Sequence, residues 1–209
     1  MSDRSLLSAA LAASCAMFAG LCLAAPPFVR GDQPITVDAQ SSDFDYRNNK
    51  LRFKQIKIRQ GDLTLEADEA RATGLDFENS QWDFDGKVRI TTPDSTLTSN
   101  SAVVRFSNNV LSTATITGLP ARFEQRRDKG TAKGHAGRID YDFSAQTIVL
   151  ADQAWLSYNN GDITGRTLVY SIKDQRVRAN PQEQDNQRVH ITINPKGPTA
   201  VASPTVQAP

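Results

Sequence analysis

The chain has 209 residues, and its 24 Lys and Arg against 23 Asp and Glu leave a formal charge of +1. So even a balance gives no support for nucleic acid as a partner. Both cysteines, Cys15 and Cys22, lie in the first 25 residues, so the rest of the chain has no disulfide and no thiol-based metal site.

Residues 1–24 read as a secretory signal peptide. Arg4 is a short basic start, residues 5–25 carry no charge, and Cys22-Leu23-Ala24 puts small residues just before a cut at Ala25. An uncleaved anchor is the rival, because the apolar run is nearly long enough to span a bilayer. Its many Ala, Ser and Gly favour cleavage. A lipoprotein signal does not fit: Cys15 falls too early, and Cys22 follows Leu21 where a small residue is wanted. The remaining length, about 185 residues, suffices for one domain or one elongated repeat array held by burial and backbone pairing.

Residues 25–33, with Pro26, Pro27 and Gly31, form a lead-in. Beyond it the apolar residues alternate with polar ones, the mark of strands with one face in and one face out. Strands are expected at Ile35-Thr36-Val37, then Leu51 and Phe53, then Ile56 and Ile58 after a polar break at residues 47–50. The apolar parity slips between Phe53 and Ile56, which predicts a β-bulge near Lys54-Gln55. A turn at Gln60-Gly61-Asp62 leads to Leu63 and Leu65, and Leu75 and Phe77 precede a polar break at residues 78–81. Trp82, Phe84, Gly86, Val88 and Ile90 share one face before a turn at Pro93-Asp94. Val104 and Phe106, a turn at Ser107-Asn108-Asn109, and Ala114 and Ile116 follow, with a corner at Gly118-Leu119-Pro120 before Ala121 and Phe123. Alternation is clearest over residues 118–179: Ile139, Tyr141, Phe143; Ile148, Leu150; Ala154, Leu156, Tyr158; Leu168, Tyr170, Ile172. Polar turns at residues 144–146, 159–162 and 173–175 separate these runs, as antiparallel neighbours require. A last strand is expected at residues 188–193 after a polar loop, and residues 194–209 are too poor in large apolar groups to order themselves.

The segments LTLEADEARA, STLTSNSAVV, TAKGHAGRID and DITGRTLVYS hold equivalent places, each after a turn and before a strand, with ITVDAQSSDF as an earlier copy. Such repeats stack so that each unit buries its apolar face on its neighbours. No window has a convincing helical period.

A catalytic set, a metal site and a cofactor site are not expected. His135 sits in Lys-Gly-His-Ala-Gly, a turn or surface setting, and His190 in the last strand; neither has metal spacing. Glu66, Asp68, Glu69, Asp83 and Asp85 alternate with apolar residues and read as a solvated strand face. Arg122, Arg126, Arg127, Lys129, Lys133 and Arg138 make a basic stretch suited either to phosphate or to plain solvation. With no helix to cover it, the apolar side of such a sheet must fold over on itself or close as a barrel. The interior is then either filled by its own side chains or a groove for acyl chains; pattern alone favours filling.

Four stretches carry a resemblance: Gly-Leu-Pro-Ala-Arg-Phe, Lys-Gly-His-Ala-Gly-Arg-Ile-Asp-Tyr, Ile-Val-Leu-Ala-Asp-Gln-Ala-Trp-Leu and Ile-Thr-Gly-Arg-Thr-Leu-Val-Tyr. In this order, and with Pro-Ile-Thr-Val-Asp-Ala near residue 33, they resemble the LptA family, OstA-like periplasmic proteins of lipopolysaccharide transport in Gram-negative bacteria. The resemblance covers about residues 33–179. It implies an all-β fold, a half-open, twisted antiparallel β-jelly roll over residues 25–193. It implies no enzyme activity, but lipopolysaccharide acyl chains moving along an apolar interior. It also implies copies joined head to tail, bridging an inner-membrane LptC-type protein to an outer-membrane LptD-type translocon. The same fold occurs in LptC, which keeps its N-terminal anchor. A secreted lipid- or glycan-binding β module is the competing class. On these grounds the groove residues are Phe53, Ile58, Leu65, Phe84, Val88, Val104, Ile116, Phe123, Ile139, Tyr141, Ile148, Leu150, Leu156 and Ile172. The docking edges are residues 35–39 and 189–193, with Ile35, Val37, Val189 and Ile191 foremost. Asp152-Gln153 stands where the family has Gly-Asn, which puts the bend there in question, whereas Gly86 keeps its glycine.

Overall fold

A computed structural model describes residues 33–73, 77–127, 130–158, 160–181 and 188–194. The expected signal peptide, most of the lead-in, Leu75, Lys129, Asn159, most of the loop before the last strand and nearly all of the tail lie outside these residues. Among the described residues every regular element is a strand. In chain order these are β1 (Ile35–Asp38), β2 (Ser41–Asp45), β3 (Lys50–Gln60), β4 (Leu63–Ala72), β5 (Asn79–Thr91) and β6 (Ser95–Ser107). They continue as β7 (Val110–Arg127), β8 (Gly130–Asp142), β9 (Thr147–Tyr158), β10 (Gly161–Ser171), β11 (Arg176–Ala179) and β12 (His190–Ile193).

From β3 to β10 each strand pairs with the next, antiparallel throughout. The two ends of the sheet are split. β1 and β2 share one edge of β3, and β11 and β12 share one edge of β10. Asn108 and Asn109, both at positive φ (52° and 60°), close the β6–β7 hairpin, and Asn49, Gln146 and Gln175 hold left-handed places in other turns. Asn and similar residues suit such turns because their short polar side chains tolerate that geometry.

Each long strand is interrupted midway. Gln55, Gly86, Lys87, Asp152 and Gln153 all have positive φ. Register shifts fall between Glu66 and Glu69, Asp85 and Val88, Thr98 and Ser101, Thr117 and Ala121, His135 and Arg138, and Gly165 and Thr167. Because the strands pair in sequence order, these irregularities form one line across the sheet. A bulge bends its strand and increases its twist, so the line folds the sheet into two leaves. The first leaf holds β2, β11 and strand halves such as 101–107 and 138–142. The second holds β1, β12 and halves such as 95–98 and 130–135. The leaves face each other: Ser95 Oγ, on the second, lies 3.5 Å from Tyr141 Oη, on the first. The result is the expected open, folded-over antiparallel sheet.

The parity slip expected near Lys54-Gln55 is present, with Gln55 at φ 50° and the buried face passing from Phe53 to Ile56. It is a kink and not the expected bulge, because β3 and β4 keep one register on both sides of it (Lys54 opposite Glu69, Ile56 opposite Ala67). Several expectations are corrected. The four repeated segments do not precede strands; they coincide with β4, β6, β8 and β10, and their midpoints fall at the bend. The polar break at residues 78–81 is largely strand, since Asn79, Ser80 and Gln81 pair with Ser107, Phe106 and Arg105. His135 is not a turn residue; it lies within β8, paired to Arg122 and Trp155. Ile172 follows β10 in a turn, yet is buried. β2 and β11 carried too few apolar residues to be read as strands, and they exist because β3 and β10 offer them an edge.

Candidate functional site

The space between the leaves is built from one alternation. In β8, Ala132, Gly134, Ala136, Ile139 and Tyr141 turn inward; in β9, Ile148, Leu150, Ala154 and Leu156 do. All fourteen residues expected in the interior are there, at most 7% exposed, and belong to a single apolar cluster. The expected groove set left out others in the same cluster, among them Leu51, Ile56, Leu63, Trp82, Ile90, Leu97, Phe106, Leu111, Leu168 and Tyr170. Strand parity marked most of them, Trp82 and Ile90 included. Buried alanines such as Ala70, Ala102 and Ala136 could not be recognised by size, whereas Ala114 and Ala121 were marked by parity. Trp82 is fully buried and stacks on Phe53, Phe77 and Phe84 at centroid distances of 5.7, 4.9 and 6.1 Å. Its Nε1 donates to Ser80 Oγ at 3.2 Å. A Cβ at Gly134 would fall within the Phe123 ring, so glycine is what lets that ring lie across the strand. In this conformation the interior is filled by its own side chains.

Opposite the bend, the leaves meet along a seam. Here the buried residues become polar: Gln60, Thr92, Ser95 and Gln125. Ser95 Oγ donates to Gln125 Oε1 at 2.5 Å and approaches Tyr141. Gln60 Nε2 donates to the Asn109 carbonyl at 2.6 Å, and Arg127 Nη2 to the Ile172 carbonyl at 3.0 Å. These contacts tie hairpin ends of one leaf to strand ends of the other. Burial pushes the Tyr141 phenol upward from its ordinary value, and the Ser95 hydrogen bond only partly opposes this. Burial raises Tyr170 as well, whose hydroxyl has no hydrogen-bond partner among the described residues.

The charged residues serve the outer surface. Lys57 pairs with Glu66 at 2.6 Å, Arg71 with Asp85, and Asp68 with Lys87 at 3.5 Å. The basic stretch is dispersed rather than gathered into one patch. Arg126 donates to the Pro93 carbonyl, Arg127 to Ile172, Lys133 pairs with Glu124 and Arg138 with Asp140. Among the described residues no group of His, Asp or Glu could hold a metal ion.

The bend is lined by acceptor side chains, each against a neighbouring strand. Asp68 accepts from Gln55 Nε2 at 3.1 Å, Asn100 Oδ1 from the Leu119 N–H at 3.3 Å, and Asn180 Oδ1 from the Arg166 and Thr167 N–H groups at 3.1 and 3.2 Å. Asp152 and Gln153 adopt φ of 65° and 57°, much as Gly86 and Lys87 adopt 78° and 47°. The bend at Asp152 is therefore kept without the glycine.

The two ends of the sheet differ in exposure. Ile191 is 59% and Ile193 74% exposed, and Val189 is exposed as well, while Ile35 and Val37 are half-buried against the cluster.

Comparison with known proteins matches this architecture. The chain is 26% identical over 150 residues to the lipopolysaccharide export system protein LptA of Escherichia coli K12, covering 71% of this chain. That alignment spans 65% of the Escherichia coli protein, less than two thirds of its length. Identity to the lipopolysaccharide export system protein LptH of Pseudomonas aeruginosa is 27% over 146 residues, covering 66% of this chain and 82% of that protein. A crystal structure of the Pseudomonas aeruginosa LptH, described as the LptA-homologous periplasmic component of a lipopolysaccharide transport device, superposes with a TM-score of 0.52 at 23% identity. It covers 78% of this chain and 96% of that one, which establishes the shared fold. The family model described as LptA/(LptD N-terminal domain) LPS transport protein matches residues 69–176, from the middle of β4 to the start of β11, and with the folded-over sheet this places the chain in that family.

Proposed function

We propose that this chain is a non-enzymatic periplasmic bridge protein that binds lipopolysaccharide and conveys it from the inner toward the outer membrane. It would be exported through a signal peptide at residues 1–24, with its domain over residues 25–193. The observation that carries this reading is the continuous apolar interior between two leaves, joined by backbone at the bend and by a few polar contacts at the seam. Parting the leaves along the seam exposes apolar side chains, and acyl chains entering between them re-cover that surface. Burial at about 25 cal/mol per Å² then offsets much of the opening cost. The seam contacts add only about 0.5–1.5 kcal/mol each. The split edges, with β1 and β2 at one end and β11 and β12 at the other, suit strand addition by a second copy head to tail. An LptC-type inner-membrane protein and an LptD-type translocon would dock on the same edges.

A photo-crosslinker at Ile139 or Leu150 should capture lipopolysaccharide, whereas one at Asp140 or Val149, on the opposite parity, should not. Equal capture at both parities would remove the interior as the lipid path.

A further inference from the structure

The outward face of the second leaf carries a feature that the interior does not use. Cross-strand pairing sets Glu66, Arg89, Thr98, Arg122, His135 and Trp155 in one row across β4 to β9. All lie on the parity opposite to the buried Ile90, Leu97, Phe123 and Leu156. Glu66 is neutralised by Lys57, and in the neighbouring row Glu124 is neutralised by Lys133. Arg89 and Arg122 are exposed and form no ion pair or hydrogen bond among the described residues. They lie two strands apart, roughly 9–10 Å along the sheet, with the Thr98 hydroxyl between them. Beside them His135 and Trp155 stack at 4.9 Å, and both are only half-buried. A depression of about 520 Å³ is lined by Arg89, Thr96, Thr98, Arg122 and Trp155, with His135 at its wall.

Two unpaired guanidiniums flanking a hydroxyl fit a phosphate group, which each can grip through two parallel N–H donors. An indole beside them offers a flat apolar wall to the C–H face of a sugar ring, and the threonine hydroxyls can bond its hydroxyls. His135 is held below its usual pKa by burial and then by Arg122, so a bound anion would relieve this local excess of positive charge. We propose that this outer face is a binding site for a phosphate-bearing pyranose, with Arg89 and Arg122 on the phosphate and Trp155, backed by His135, against the ring. The proposal is independent of whether the interior carries lipid.

The full-length mature protein can be titrated at low salt with glucose 6-phosphate and, separately, with lipid A in detergent micelles. Backbone amide shifts of the outer row report binding for both probes, and tryptophan emission is read with glucose 6-phosphate only, because acyl chains entering the interior would also perturb the buried Trp82. Saturable changes in both probes are expected, with amide shifts confined to the outer row for glucose 6-phosphate. Arg89→Gln with Arg122→Gln should weaken binding about tenfold or more, a loss in line with charge-assisted hydrogen bonds. Plain glucose at equal concentration should give no saturable change. Response to both probes assigns the sugar phosphate itself; response to lipid A alone, still lost in the arginine variant, assigns a lipid-borne sugar phosphate. The proposal is overturned if neither probe shifts the outer row, if glucose matches glucose 6-phosphate, or if the outer-row shifts persist undiminished in the arginine variant.

Discussion

At Asp152 a carboxylate occupies a backbone conformation that glycine adopts more readily. The left-handed region brings Cβ against the neighbouring carbonyl, a strain of roughly 1–2 kcal/mol for most residues. Asp and Asn tolerate it better because a short polar side chain can bond locally. The same two-residue kink at Gly86 and Lys87, two repeats earlier, shows that the bend and not the residue type is what is held in common. Asp152→Gly should therefore leave folding stability about unchanged, whereas Asp152→Val should lower it by about 1–2 kcal/mol or more. Urea unfolding of the two variants checks this, and equal stability would mean that β9 can straighten there. At Gly86 a Cβ would also crowd the Asp68 side chain, so glycine is less replaceable there than at residue 152.

At the level of elements, the two ends of the sheet behave differently from its middle. β3 to β10 gain pairing on both sides, and β3 to β9 largely alternate between buried and more exposed residues on each side of the bend. β1, β2, β11 and β12 are four or five residues long and pair on one side within the chain. Their unpaired backbone groups form a template for another strand. In β12 all four residues are exposed, including Ile191 and Ile193, which is unusual for apolar residues in a strand without a partner to cover them. Light scattering of the protein over a range of concentrations should show association that Ile191→Lys with Ile193→Lys reduces severalfold. These substitutions face solvent, so the fold should survive them. A strict monomer at all concentrations, or association unaltered by the lysines, would place the docking surface elsewhere.

For the molecule as a whole, the folded sheet has a covalent side at the bend and a non-covalent side at the seam. Opening must begin at the seam, where Tyr141 and Tyr170 lie buried. Both phenols have pKa values raised above about 10 by burial. The sign follows directly. Between the unfolded and the folded value, the folded chain keeps protons that the unfolded chain has released, so their contribution is intact below pH 10 and is lost as pH rises above it. Urea midpoints should fall more steeply between pH 10 and 11 than between pH 7 and 9. Tyr170→Phe should lessen that fall while leaving neutral-pH stability about unchanged, because its hydroxyl has no partner to lose. An identical alkaline loss in Tyr170→Phe would take that phenol out of the account.

Alternation by itself determined that this chain is all-β, which residues face inward, where most turns fall and that β3 changes its inward parity at Gln55. These follow from a period of two and from local turn chemistry, both written in neighbouring residues. The family resemblance came from the same local order, strongest from β7 to β10. What only the tertiary structure decided depends on residues far apart in the chain. The repeats looked like approaches to strands because their midpoints, Asp68, Asn100, His135 and Arg166, are polar; they are polar because the bend places them against the next strand, away from the core. β2 and β11 are strands only because a longer strand offers them an edge. The seam joins Ser95 to Tyr141 and Gln60 to Asn109 across 46 and 49 positions of sequence, and no local pattern encodes such a pairing. It arises when the bend brings two halves of the same sheet face to face.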